Sequence, residues 1–132
     1  KMKIRTPNNF LFEIKLSKHN NTVYFYLLDK KEKNKRVGRV TLYRQVNGIY
    51  ETHAYLKKQD RGLGLGAKLY SKAIQWCLEN GYSIRSSGNS SDEAMRLWQS
   101  KSIRKLFRIR KKKDKQNLSP YFDIWYAYSK IK

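Results

Sequence analysis

The chain has 132 residues, 39% of them hydrophobic and 14% aromatic, with a formal net charge of +20 from 30 Lys and Arg against 10 Asp and Glu. That length predicts one domain spanning residues 1–132, and the apolar share excludes wholesale disorder. The single cysteine, Cys77, excludes an internal disulfide, and no apolar run approaches the roughly 20 residues of a membrane-spanning helix.

No signal-peptide pattern opens the chain, so a reducing cytoplasm is the expected compartment. The charge excess creates a positive field that recruits polyanions, nucleic acid above all. A lysine-rich solvated surface without such a partner is the alternative that composition leaves open.

In chain order, Phe10–Leu16 alternates, with Phe10, Phe12, Ile14 and Leu16 on one face, and predicts a strand. His19-Asn20-Asn21-Thr22 predicts a tight turn, because Asn tolerates left-handed backbone. Thr22–Leu28 is a second β-branched and aromatic strand, and 29–36 reads as a charged, mobile loop. Val37–Gln45 and Ile49–Lys57 are strands three and four, separated by the hairpin signal Asn47-Gly48.

The period then changes. Gly66–Asn80 carries Leu69, Ala73, Ile74, Cys77 and Leu78 at helical spacing and closes on Asn80-Gly81. Tyr82–Ser86 is a short strand. Ser90 with Glu93 forms a capping-box pattern that opens a second helix through about Ser102. Leu106–Arg110 and Tyr121–Tyr128 alternate again and predict a closing hairpin. The expected order is β-β-β-β-α-β-α-β-β: an α+β fold with a mixed, mostly antiparallel sheet and two main helices. Strands four and five, flanking the first helix, are expected to be parallel.

Between strand four and that helix lies Arg61-Gly62-Leu63-Gly64-Leu65-Gly66-Ala67. A strand, a glycine turn and a helix together present unpaired N–H groups at the positive end of the helix dipole, a ready anion site. The turn lacks the Gly-Lys-Ser/Thr end of a P-loop, and its G-x-G-x-G spacing differs from the dinucleotide fingerprint.

The pattern Arg61-x-x-Gly64-x-Gly66, in this order of elements, resembles the signature of the GNAT (GCN5-related N-acetyltransferase) superfamily. The resemblance spans roughly residues 10–128. It implies that acetyl-CoA, or another acyl-CoA, is bound with its pyrophosphate on the turn amides. By that resemblance Tyr55, Leu56 and Lys58, at the end of strand four, line the pantetheine arm, and Ser91 and Trp98 flank the cofactor. Two departures bear on function. Only His19-Asn20-Asn21 separates strands between which the family places two helices, as in small phage-type members with a shortened N-terminal half. Trp98 stands where the family carries a Tyr that protonates the departing thiolate, and indole is no acid.

Amine acetylation needs a neutral nucleophile and therefore a base. Glu51 and His53 share one face of strand four and are the candidates, although each also reads as an ordinary strand residue of a lysine-rich chain. The two histidines and lone cysteine offer no metal cluster. Arg85, Arg96, Arg104, Arg108 and Arg110 are the expected acceptor-side cations. The expected activity is N-acyl transfer to a macromolecular, nucleic-acid-associated acceptor, nucleic acid or a protein that binds it. The alternative is a catalytically weak domain of this type that binds nucleic acid through its basic surface.

Overall fold

A computed structural model describes residues 2–5, 11–45, 48–56, 64–87, 92–113 and 123–130. Its eight strands are β1 (Met2–Arg5), β2 (Leu11–His19), β3 (Thr22–Asp29), β4 (Lys35–Arg44), β5 (Ile49–Leu56), β6 (Ser83–Ser86), β7 (Phe107–Lys113) and β8 (Asp123–Ser129). They form one sheet in the order β1-β2-β3-β4-β5-β6-β8-β7. Only β5 and β6 pair in parallel, as their flanking of a helix predicts; the other pairings are antiparallel.

The meander starts from local turn chemistry. Asn20, at φ 54°, closes β2 onto β3, so that His19 opposes Thr22. The charged segment after β3 is ordered, not a mobile loop. Asp29 accepts a hydrogen bond from Lys31 N at 3.0 Å, starting a 3₁₀ turn over Lys30–Glu32. Left-handed Lys33 and Asn34 then reverse the chain, and β4 begins at Lys35, two residues before the expected start. The β4–β5 connection takes Gly48 at φ 71°, with Gln45 N donating to Ile49 O at 2.7 Å. The loop is therefore longer than a two-residue turn; Asn47 lies outside the described residues.

Helix α1 (Leu65–Glu79) ends as its sequence predicts. Gly81, at φ 77°, lets Tyr82 N reach Cys77 O at 2.9 Å and Gly81 N reach Leu78 O at 3.2 Å. The second predicted helix is two: α2 (Asp92–Trp98) and α3 (Lys101–Leu106). Ser100 separates them with extended backbone and accepts from Ile103 N at 3.3 Å, so a local cap ends one helix and starts the next. Strand β7 follows at Phe107. The predicted Ser90–Glu93 capping box and the residue Phe10 lie outside the described residues. Strand β1, which pairs with β2 at the sheet edge, is an addition to the seven strands expected.

Alternation divides the sheet. Val23, Phe25, Leu27, Val40, Leu42, Tyr50 and Ile84 are buried and join Leu65, Leu69, Ala73, Ile74 and Cys77 of α1 in one core. Trp98 of α2 and Ile103 of α3 enter the same core. Each fully buried side chain of this size stabilises by about 1.5–3 kcal/mol relative to exposure. The intervening residues Tyr24, Tyr26, Arg39, Tyr43, Glu51 and His53 project to the opposite face, where among the described residues no α-helix packs. No helix among the described residues is long and apolar enough to cross a membrane.

Candidate active site

Gly64 precedes α1 with φ 75° and ψ 6°, and among the described residues no side chain caps the helix. A Cβ at Gly64 would meet nothing within 4 Å, so the torsion and not crowding requires glycine. Other residues adopt that backbone at a cost of about 1–2 kcal/mol. The first helical hydrogen bond runs from Lys68 N to Gly64 O at 3.3 Å. The N–H groups of Leu65, Gly66 and Ala67 therefore have no acceptor within the helix. The side chain of Leu65 is core, 1% exposed, so only its backbone serves the turn.

A second opening adjoins this turn in the chain. The parallel pairing ends at Thr52 opposite Ser86, whereas β5 continues to Leu56 paired only with β4. Backbone groups of residues 53–56 that face away from β4 have no strand partner among the described residues. On the far side of β6, Trp125 N donates to Ser86 Oγ at 2.8 Å at the end of that strand. Tyr55 is exposed on this unpaired end. The residues present thus fit an extended amide-bearing arm along β5 and an anion at Gly64. Lys58, Arg61, Gly62, Leu63 and Ser91 lie outside the described residues.

Glu51 and His53 come together as their shared face predicts. Glu51 Oε1 and His53 Nε2 are 3.0 Å apart, and Arg85 Nη2 donates to Glu51 Oε2 at 2.9 Å. A carboxylate only accepts, so His53 Nε2 is the donor in this contact and Nδ1 faces away from the carboxylate. The Tyr43 ring meets the imidazole edge to face at 5.0 Å. The Glu51 side chain is 17% exposed and that of His53 49%, so a partly shielded carboxylate orients an accessible imidazole.

Arg85, expected among the acceptor-side cations, sits within this cluster, because the β5–β6 register sets it directly beside Glu51. Composition carried no sign of that pairing; it depends on the register of two strands 34 residues apart. Arg96 on α2 and Arg104 on α3 are exposed on helices, while Arg108 and Arg110 are exposed on β7. Arg104 therefore lies on a helix and not on the strand that carries Arg108 and Arg110.

Trp98 is 1% exposed and packs edge to face against Tyr70 at 6.0 Å. Its buried Nε1–H has no hydrogen-bond partner among the described residues. Burial raises the Tyr70 hydroxyl and pushes the Cys77 thiol from 9.0 up to about 12. Cys77 is fully buried and is a core residue, not a nucleophile.

The chain matches the family model of the acetyltransferase (GNAT) family over residues 4–101 and belongs to that family. Solved structures share the fold. The GNAT domain of S. lividans PAT aligns with a TM-score of 0.71 at 7% identity, over 97% of this chain and 96% of that one. A Bacillus subtilis acetyltransferase in complex with CoA aligns with a TM-score of 0.61 at 14% identity, over 89% and 98%. A GNAT family acetyltransferase from Elizabethkingia anophelis with acetyl-CoA bound aligns at 0.58 and 16%, over 89% and 97%. No curated protein sequence matches the chain.

Proposed function

We propose that this chain transfers an acyl group, acetyl in the first instance, from acyl-CoA to an amine on a macromolecular, nucleic-acid-associated acceptor. The observation that carries the reading is the uncapped α1 N-terminus at Gly64 following the unpaired end of β5. Bound acetyl-CoA supplies the thioester acyl group. The amides of Leu65, Gly66 and Ala67 hold the anionic end, with Arg61 as the cation that the family signature assigns to it. The β5 backbone at residues 53–56 holds the arm, with Tyr55, Leu56 and Lys58 beside it.

His53 Nδ1 takes the proton of the attacking amine, directly or through one water, as the new C–N bond forms. The thioester C–S bond then breaks and the CoA thiolate leaves, taking its proton from the imidazolium or from water. Glu51 keeps the imidazole in the tautomer with Nδ1 unprotonated and stabilises the cation it becomes. Arg85 fixes the carboxylate that does the orienting. Such a base contributes about 10²–10⁴-fold in rate. The net charge of +20 and the exposed Arg96, Arg104, Arg108 and Arg110 support a polyanionic acceptor. The Ser91…Ala94…Leu97-Trp98 variant of the family pattern supports a place among small phage-type members, and the two-residue turn at Asn20-Asn21 an acceptor side open to a macromolecule. The lone, buried cysteine suits a cytoplasmic setting, of a bacterium or a phage-infected host.

A second reading is a catalytically weak domain that binds nucleic acid. Trp98 favours it, since its indole occupies the position where the resemblance places a proton donor. Thermal unfolding with and without acetyl-CoA, joined to an acetyl-transfer assay on lysine-rich protein and on RNA, separates the readings. A site of micromolar affinity stabilises by about 4 kcal/mol at a thousandfold excess. No shift at millimolar acetyl-CoA would sink the transferase reading; a shift without transfer would favour the second.

A further inference from the structure

We infer that the face of the sheet opposite α1 is a binding platform for single-stranded nucleic acid, with the His53–Glu51 pair at its centre. The inference deepens the acceptor side of the proposed function and rests on that reading only for its relation to catalysis.

Side chains directly opposite across a sheet project to the same side. The register therefore sets Tyr24 of β3 beside Thr41 and His53, and Tyr126 of β8 beside Arg85 and Glu51. One face thus carries two tyrosine pairs. Tyr24 and Tyr26 lie parallel, with centroids 5.6 Å apart and planes within 4°; Tyr126 and Tyr128 lie 6.5 Å apart within 19°. Four strand spacings separate β3 from β8, about 19 Å. Exposed Tyr43 and His53 occupy the space between the pairs.

Each pair carries its own cations. The Arg36 guanidinium sits 4.0 Å from the Tyr26 centroid. Lys112 lies 4.8 Å from Tyr126, and Arg108 lies 5.8 Å from Tyr128. At the β2–β4 end, Lys15, Lys30, Arg36 and Tyr26 line a cavity of about 350 Å³ around the buried Glu13. Three cations against one carboxylate leave that cavity positive.

Parallel tyrosines interleaved with Lys and Arg, on a face that no α-helix packs against among the described residues, match what unpaired bases and phosphates require together. Rings take the base faces, and cations take the backbone. A duplex hides its base faces, and an acidic polypeptide has none to stack. Single-stranded nucleic acid is therefore the occupant that uses both halves of the pattern.

Fluorescence anisotropy of the full chain tests this, with labelled oligouridylate and oligothymidylate of about twelve nucleotides, a duplex of equal length, and polyglutamate as competitor. Measurements span about 50–200 mM salt. Tyr26→Ala and Tyr128→Ala are each expected to weaken single-strand binding roughly five- to a hundredfold, with an unchanged salt slope. Tyr26→Phe, which keeps the ring, retains affinity within about twofold, because stacking uses the ring and not the hydroxyl. Arg36→Ala lowers the salt slope instead. Far-UV circular dichroism confirms folding of each variant, and if Tyr26→Ala fails to fold, Tyr128→Ala on the opposite side of the platform carries the same test.

Duplex or polyglutamate binding as tight as single-strand binding overturns the inference. So does an unchanged affinity in folded Tyr→Ala variants. A preference between the two single strands supports it. A chain stabilised by acetyl-CoA yet indifferent to oligonucleotides keeps the transferase and loses the platform.

Discussion

Replacing Gly64 separates what the turn does for folding from what it does for the cofactor. Gly64 holds φ 75°, and an added Cβ meets nothing within 4 Å. The cost of Gly64→Ala is therefore torsional alone, about 1–2 kcal/mol. For 132 residues that lowers the melting temperature by roughly 4–7 °C. Gly64→Asn costs less, because Asn enters left-handed backbone more readily. Gly64→Glu has a torsional cost of the same order as Ala but adds bulk and negative charge before the free amides of α1. It is expected to abolish the roughly 4 kcal/mol of stabilisation that a thousandfold excess of acetyl-CoA gives the unaltered chain. Differential scanning fluorimetry over an acetyl-CoA series reads both effects: the ligand-free melting point and its shift. A full shift in Gly64→Glu would put the ligand elsewhere. An unaltered melting point in Gly64→Ala would refute the left-handed turn itself.

His53→Ala and Glu51→Gln are expected to lower acetyl-transfer turnover by about 10²–10⁴-fold while leaving the acetyl-CoA thermal shift in place. Loss of the shift together with turnover would assign the pair to binding. Cys77 gives a pH prediction. Its folded thiol titrates near 12 against 9.0 for the free group, so the unfolded chain releases the proton first. Its contribution to stability is complete below about pH 9 and declines towards pH 12, by up to about 1.4 kcal/mol per unit. Urea melts from pH 8 to 10 should show this decline and its loss in Cys77→Ala, and the native thiol should resist a disulfide reagent at pH 8. Trp98→Ala empties a 1%-exposed core site beside Tyr70 and is expected to cost about 3–5 kcal/mol, read by urea unfolding. A cost under about 1 kcal/mol would remove Trp98 from the core.

Glycine spacing, turn residues and changes of hydrophobic period were legible because each acts over a few residues. Asn20, Gly48 and Gly81 take the left-handed torsions that their turns demand, and α1 ends on the expected Gly81 motif. Glu51 and His53 were legible for the same reason, since residues two apart on a strand share a face. Where a local pattern competed with another local pattern, the reading slipped. Ser100 caps a new helix within what periodicity alone reads as one, and Asp29 orders a segment whose charges suggest a loop.

The amino-acid sequence by itself therefore determined the glycine turn at the head of α1, the strand-to-helix switch and the pairing of Glu51 with His53. Those features follow from torsions and from periods of two and 3.6 residues. Tertiary structure alone decided that β5 outruns β6, that Arg85 holds Glu51 and that Trp98 packs against Tyr70. It also decided that two tyrosine pairs from opposite halves of the chain share one open face. Those facts depend on the register of strands brought together across long stretches of chain, which burial of the common core selects and no short window of residues contains.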